Sequence, residues 1–136
     1  MARILVVDDE PMMRDLLQIT LTRKGHEVLS ADGGRKAIQR FRQERPNLSI
    51  LGLNLPDING IDVLREIGSV DPHAPVSILT GAGREDLEQQ ARALGVTDFL
   101  QKGFSLHELG AALNRVLKQP GQADPPASGP ETPRAR

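Results

Sequence analysis

The sequence predicts an α/β domain built on one doubly wound parallel sheet of five strands, with helices on both faces. Three observations carry that prediction. Short apolar runs alternate strictly with longer stretches whose apolar residues recur at helical spacing, five of each. The runs are continuous rather than alternating, which fits strands covered on both sides. A chain of 136 residues, 38% apolar and 26% charged, suits one domain with its own core and leaves no room for two.

The elements follow in order. Ile4–Val7 is the first strand, and the first helix carries Met13, Leu16, Leu17 and Leu21, with Pro11 suited to its first turn and Gly25 to the position after its end. Val28–Ala31 is a weaker strand. Ala37, Ile38 and Phe41 mark the second helix, which Pro46 stops. Leu48–Leu53 is the third strand, and Ile61, Leu64 and Ile67 give the third helix its apolar face. Val76–Leu79 precedes a helix with Leu87, Ala91 and Leu94, ended by Gly95. Val96–Leu100 is the last strand, and Leu106, Leu109, Leu113, Val116 and Leu117 face the fifth helix inward. Right-handed crossovers leave a few topologies for such a chain, the order 2-1-3-4-5 being one.

The composition changes near Gln119. The last 18 residues hold five of the ten prolines and no Val, Ile, Leu, Met or Phe, so residues 119–136 are expected to be a disordered tail or linker beyond a domain of residues 1–118. Charge nearly cancels, with 17 Lys and Arg against 18 Asp and Glu, which gives nucleic-acid binding no electrostatic support. Without cysteine there is neither a disulfide nor a thiolate site. The apolar start runs into Asp8 after four residues, too soon for a secretory signal, and no stretch is long enough to span a membrane. A cytoplasmic protein is the expectation.

In open α/β sheets, ligands bind beyond the carboxyl ends of the strands. The residues leaving the strands are Asp8 and Asp9, then Gly52, Leu53 and Asn54, then Thr80 and Gly81, then Lys102 and Gly103. Two acids, a hydroxyl and an amine on one edge suit a divalent cation and a phosphoryl group, because carboxylate oxygens are hard ligands while Thr and Lys hold phosphate oxygens. Each also has a plainer reading: the acids as a helix cap, Thr-Gly as a turn, Lys as a solvated charge. His26, His73 and His107 share no ligand spacing, and the glycines of Gly81-Ala82-Gly83 do not complete a dinucleotide fingerprint.

The joint pattern is more specific than its parts. The stretches RILVVDDEPMMRDLL, RPNLSILGLNLPDINGIDVLREI, PVSILTGAG and ALGVTDFLQKGF together resemble the CheY-like receiver domain of bacterial response regulators, in family order and spacing over residues 2–118. That resemblance implies the flavodoxin-like order 2-1-3-4-5 and a part in two-component (phosphorelay) signal transduction. It implies Mg²⁺ as the cofactor, held directly by Asp9, through water by Asp8, and by the backbone carbonyl of Asn54. It also implies that Thr80 and Phe99 are the switch residues and that Lys102 pairs with the phosphoryl group. A sensor histidine kinase or other signalling protein is the implied partner, with self-association through the helix 4–strand 5–helix 5 face.

The sequence departs from that family at two positions. Gly52 stands where the family carries its phosphoacceptor aspartate, and Gly103 follows Lys102 where the family has a proline after a cis peptide. Glycine can neither form an acyl phosphate nor ligate a metal. A cis bond before a non-proline residue costs about 2.5–4 kcal/mol, so Lys102–Gly103 is expected to be trans. The expectation is an atypical receiver that is not an enzyme, signals by protein–protein contact, binds Mg²⁺ weakly and joins Lys102 to Asp8 or Asp9. The alternative is an ordinary phosphorylatable receiver whose aspartate at 52 was replaced by engineering or error. A phosphatase with Asp8 as nucleophile would want Asp-x-Asp, which Asp8-Asp9-Glu10 does not supply.

Overall fold

A computed structural model describes residues 2–81 and 84–117. The expected tail, residues 119–136, lies outside the described residues. Strands β1 (Arg3–Val7), β2 (Glu27–Ala31), β3 (Leu48–Gly52), β4 (Val76–Thr80) and β5 (Asp98–Gln101) alternate with helices α1 (Pro11–Arg23), α2 (Gly34–Glu44), α3 (Gly60–Val70), α4 (Glu85–Ala93) and α5 (Leu106–Leu117). The strands form one sheet in the order β2-β1-β3-β4-β5, every pair parallel. The predicted fold class and strand order are therefore those observed. No helix among the described residues is long and apolar enough to cross a membrane.

Alternation along the strands divides the core. Leu5, Val7 and Leu51 face α2, α3 and α4, where they meet Phe41, Ile61 and Leu87. Ile4, Val6 and Ile50 face the other way, against Leu17 and Leu21 of α1 and Leu109 and Leu113 of α5. Both faces of the sheet are thus dry, which is why its strands read as unbroken apolar runs.

Three residues expected to face inward do not. Leu16 is 45% exposed, Leu94 44% and Leu106 61%. Leu16 lies on the far side of α1 from buried Leu17 and Leu21, and Leu106 opens α5 beyond the end of the sheet. Leu94 is the C-cap of α4, outside the regular helix. The strand expected from Val96 begins only at Asp98, because the end of α4 consumes the intervening residues. Gly95 takes the left-handed region there, its N–H reaching the Arg92 carbonyl and that of Val96 the Ala91 carbonyl, a Schellman closure. Gly25 closes α1 in the same manner, as expected.

Candidate functional site

The register sets the carboxyl ends of β1, β3, β4 and β5 side by side. Val7 pairs with Leu51, Gly52 with Leu79, and Thr80 with Gln101. Asp8, Gly52, Thr80 and Lys102 therefore meet at one edge, where a cleft of about 330 Å³ also takes in Asp9, Glu10, Asn54, Arg84 and Glu88.

Asp8 is the buried centre of this cleft, 1% exposed. Its N–H continues the β1–β2 ladder to the Ala31 carbonyl, so its side chain is carried inward while Asp9 is left exposed. Asp8 Oδ1 accepts from the Glu10 N–H at 2.8 Å, and its carbonyl accepts from Arg14 Nη1 at 2.7 Å. Lys102 Nζ stands 3.1 Å from Asp8 Oδ2 and 2.5 Å from Glu10 Oε1. Burial pushes the Asp8 carboxyl above the ordinary aspartate range, against the opposing pull of the Glu10 N–H and the Lys102 ammonium. Burial alone would lower Lys102; hydrogen bonds and attraction to Glu10 and Asp8 outweigh it, so its ammonium holds its proton more tightly than usual.

Lys102 is aimed by its own turn. The Phe104 N–H closes a four-residue turn on the Gln101 carbonyl, with Gly103 third at a φ of 93°. That is the place in a type II turn that asks for glycine. The Lys102 N–H also bonds the Thr80 carbonyl at 2.8 Å, tying β5 to β4 as the chain leaves the sheet. No peptide among the described residues is cis, and Lys102–Gly103 is trans as expected. With Gly103 in that turn, Lys102 points into the cleft.

Gly52 is buried at the floor of the cleft it lines. A Cβ placed on it would stand 3.1 Å from Asp8 Oδ2 and 3.1 Å from the Val7 carbonyl oxygen. The Asp8 carboxylate thus stands against the space that a side chain at 52 would need.

The expected site residues come together unevenly. Asp8, Asn54, Thr80 and Lys102 line one cleft with Gly52, and Thr80 is buried there. Asp9 reaches the same cleft but makes no ion pair among the described residues. The expected Lys102 partner is Asp8, joined by Glu10 rather than Asp9. Phe99 faces away, with the Arg92 guanidinium 4.0 Å from its ring centroid. Sequence reasoning missed Glu10, Arg92 and Arg84, whose Nη1 lies 3.4 Å from Asn54 Oδ1. Glu10, directly after the acid pair, was the one that position could have flagged. Asp57, in the loop after β3, is engaged at α2 rather than in the cleft: its carboxylate receives the N–H groups of Gly34 and Arg35 at the start of α2 and that of Ile58. Those hydrogen bonds hold its pKa down at about 2.

This sheet order and cleft coincide with a match to the response regulator receiver domain family over residues 4–114. The chain belongs to that family. It is 33% identical over 117 residues to the chemotaxis protein CheY of Thermotoga maritima, spanning 85% of this chain and 98% of that one. It is 34% identical to the transcriptional regulatory protein TrcR of Mycobacterium tuberculosis over 92% of this chain but only 49% of that protein. The chain thus spans nearly all of the first relative and about half the length of the second. A receiver domain protein of Clostridium thermocellum superposes with a TM-score of 0.81 at 32% identity, covering 86% of this chain and 94% of that one. This is a receiver domain of two-component systems, a signalling rather than a typical enzymatic fold.

Receiver domains commonly bind Mg²⁺ at this edge, so the donors of this receiver bear testing against that ion. A Mg²⁺ site wants free carboxylate oxygens around an octahedron. Here Asp8 gives one oxygen to the Glu10 N–H, and the Lys102 ammonium stands against the other. Among the described residues no cluster of three or more His, Asp or Glu is placed to hold a metal. As they stand, the residues of this receiver leave fewer free carboxylate oxygens than an octahedral site wants and fit a divalent cation poorly.

Proposed function

We propose that this receiver signals through protein–protein contact without phosphorylation at the usual site, because Gly52 occupies the family's acceptor position. One observation carries the reading: Asp8 and Lys102 form an ion pair at 3.1 Å beside Gly52, where a phosphoryl group and its metal would have to enter. On this reading Asp8, Asp9 and the Asn54 carbonyl are remnants of a metal site that binds Mg²⁺ weakly. Thr80 and Phe99 keep the switch positions, and Lys102 pairs within the chain instead of with a phosphoryl group.

The domain is residues 1–118, followed by a tail or linker of residues 119–136. The protein works in the cytoplasm with a sensor histidine kinase or another signalling protein, and not with nucleic acid through this domain. Self-association uses the face of α4, β5 and α5, where Leu94 and Leu106 are exposed.

The test is incubation with acetyl phosphate and Mg²⁺, followed by assay for acid-labile, hydroxylamine-sensitive phosphate. The expected result is none above background, with reactivity appearing in Gly52→Asp. Incorporation by the unaltered chain would overturn the reading.

A further inference from the structure

The outward face of α2 is cationic through its first two turns and again at its C-cap. Arg35 and Lys36 in the first turn, Arg40 in the middle and Arg45 at the C-cap have no ion-pair partner among the described residues, although the chain as a whole has net charge −1. The one acid of the helix, Glu44, is turned to the sheet edge, where it meets Arg3. Gln39 and Gln43 lie between the cations, both exposed, and no apolar side chain faces out beyond the half-buried Ile38. At 3.6 residues per turn, Arg35, Gln39 and Gln43 form one row, and Lys36 and Arg40 the next, which Glu44 ends at the border with Arg3.

The strip is narrow and its borders are acidic. On the α3 side, Glu66 binds Arg42 at 2.7 Å and Asp62 stands beside Arg65. At the opposite border lie Glu27 and Glu44, both paired with Arg3, while exposed Asp32 precedes the helix. A helix of 11 residues is about 16 Å long and, with its side chains, about 10–12 Å wide. A duplex or a flat anionic membrane laid on so small a strip would bring its own negative charge over the bordering acids. A membrane-surface helix would also need apolar residues on this face. A single acidic helix avoids both conflicts, matching the cations along its axis and leaving the borders in water.

We infer that α2 is a docking strip for an acidic helix of a partner protein, separate from the cleft at the sheet edge. The glutamines supply hydrogen bonds to carboxylates or backbone at the centre, and the cations steer the encounter.

The test uses the full chain and, as probe, a blocked helical peptide of about 20 residues with glutamate at every fourth position in an alanine–glutamine background. Binding is followed by anisotropy at low and at near-physiological salt. The unaltered chain is expected to bind, with affinity falling steeply as salt rises. Arg35→Glu/Lys36→Glu/Arg40→Glu is expected to weaken binding at low salt at least tenfold, and the milder Arg35→Gln/Lys36→Gln/Arg40→Gln to weaken it in the same direction with an unchanged circular dichroism spectrum. Arg23→Glu/Lys24→Glu, at the end of α1, is expected to bind as the unaltered chain does. Failure to bind the peptide at low salt, or an equal loss in the α1 variant, would overturn the inference. So would equal or tighter α2-dependent binding to a 20-base-pair DNA duplex or to vesicles with about 30% phosphatidylserine.

Discussion

Placing aspartate at 52 is the perturbation that reaches furthest into this site. The new Cβ would meet Asp8 Oδ2 and the Val7 carbonyl at 3.1 Å each; the carbonyl belongs to β1, so Asp8 must yield. Two carboxylates about 4 Å apart repel by about 4 kcal/mol at an effective dielectric of about 20. The Lys102 ammonium, now shared, offsets part of that, and removing a strand glycine returns about 0.5–1 kcal/mol. The net expectation is a loss of about 1–3 kcal/mol at neutral pH without metal, which lowers the melting temperature by roughly 3–10 °C for a domain of this size. Adding Mg²⁺ at millimolar concentration should restore most of it, because the third carboxylate completes a cation site. Gly52→Asn carries the same crowding without the charge, so its smaller loss isolates the steric part. Thermal unfolding of both variants, with and without Mg²⁺, is the assay. A Gly52→Asp protein that melts higher than the unaltered one in the absence of metal would refute the repulsion argument.

Other outcomes follow from the same contacts. Lys102→Met leaves Asp8 buried with only the Glu10 N–H as partner, so about 1–3 kcal/mol should be lost at neutral pH; denaturant titrations should show the deficit shrinking in acid, where Asp8 is protonated. In the unaltered chain, calorimetry should find no saturable Mg²⁺ binding below millimolar concentration. Arg92→Ala uncovers one face of Phe99 at a cost of about 0.5–1 kcal/mol and should change the ring's NMR line shape. Asp57 has its pKa depressed to about 2 by the N–H groups of α2, so its stabilisation is present above about pH 4 and lost as pH falls through about 2. Because this carboxylate is exposed, the benefit is discounted to roughly 1 kcal/mol. Asp57→Ala should be less stable than the unaltered chain by that amount at pH 7, with the gap closing near pH 2.

The sheet was legible because burial on both faces leaves continuous apolar runs, and the Pro11, Gly25 and Gly95 signals bounded their helices as expected. Which strand ends would meet was legible too, since a parallel sheet places all its carboxyl ends on one edge. What the sequence hid were contacts made by long side chains between elements far apart in the chain. The Lys102–Glu10 bond spans 92 positions, and Arg84–Asn54 spans 30. Neither follows from periodicity, because the reach of a charged side chain depends on where two helices and a turn deliver its base. Leu16 and Leu106 misled for a related reason: helical spacing marks an apolar residue, but only packing decides whether a neighbour covers it.

Gly103 and Gly52 act on different terms of the same site. Gly103 fits a turn that only glycine fills easily, and that turn aims Lys102 into the cleft. On the proposed reading Gly52 removes the charge that Lys102 would otherwise help hold; the Lys102 ammonium stands against Asp8 and Glu10. A ligand shifts a two-state equilibrium only by its differential affinity for the two states. With the lysine already paired and the carboxylate at 52 missing, neither metal nor phosphoryl group retains much differential affinity on the proposed reading. Thr80 and Phe99 are then biased only by what touches them within the chain, the Arg92 guanidinium on Phe99 included. On that same reading, a partner that meets the α4–β5–α5 face would find the same surface whether or not a kinase is active.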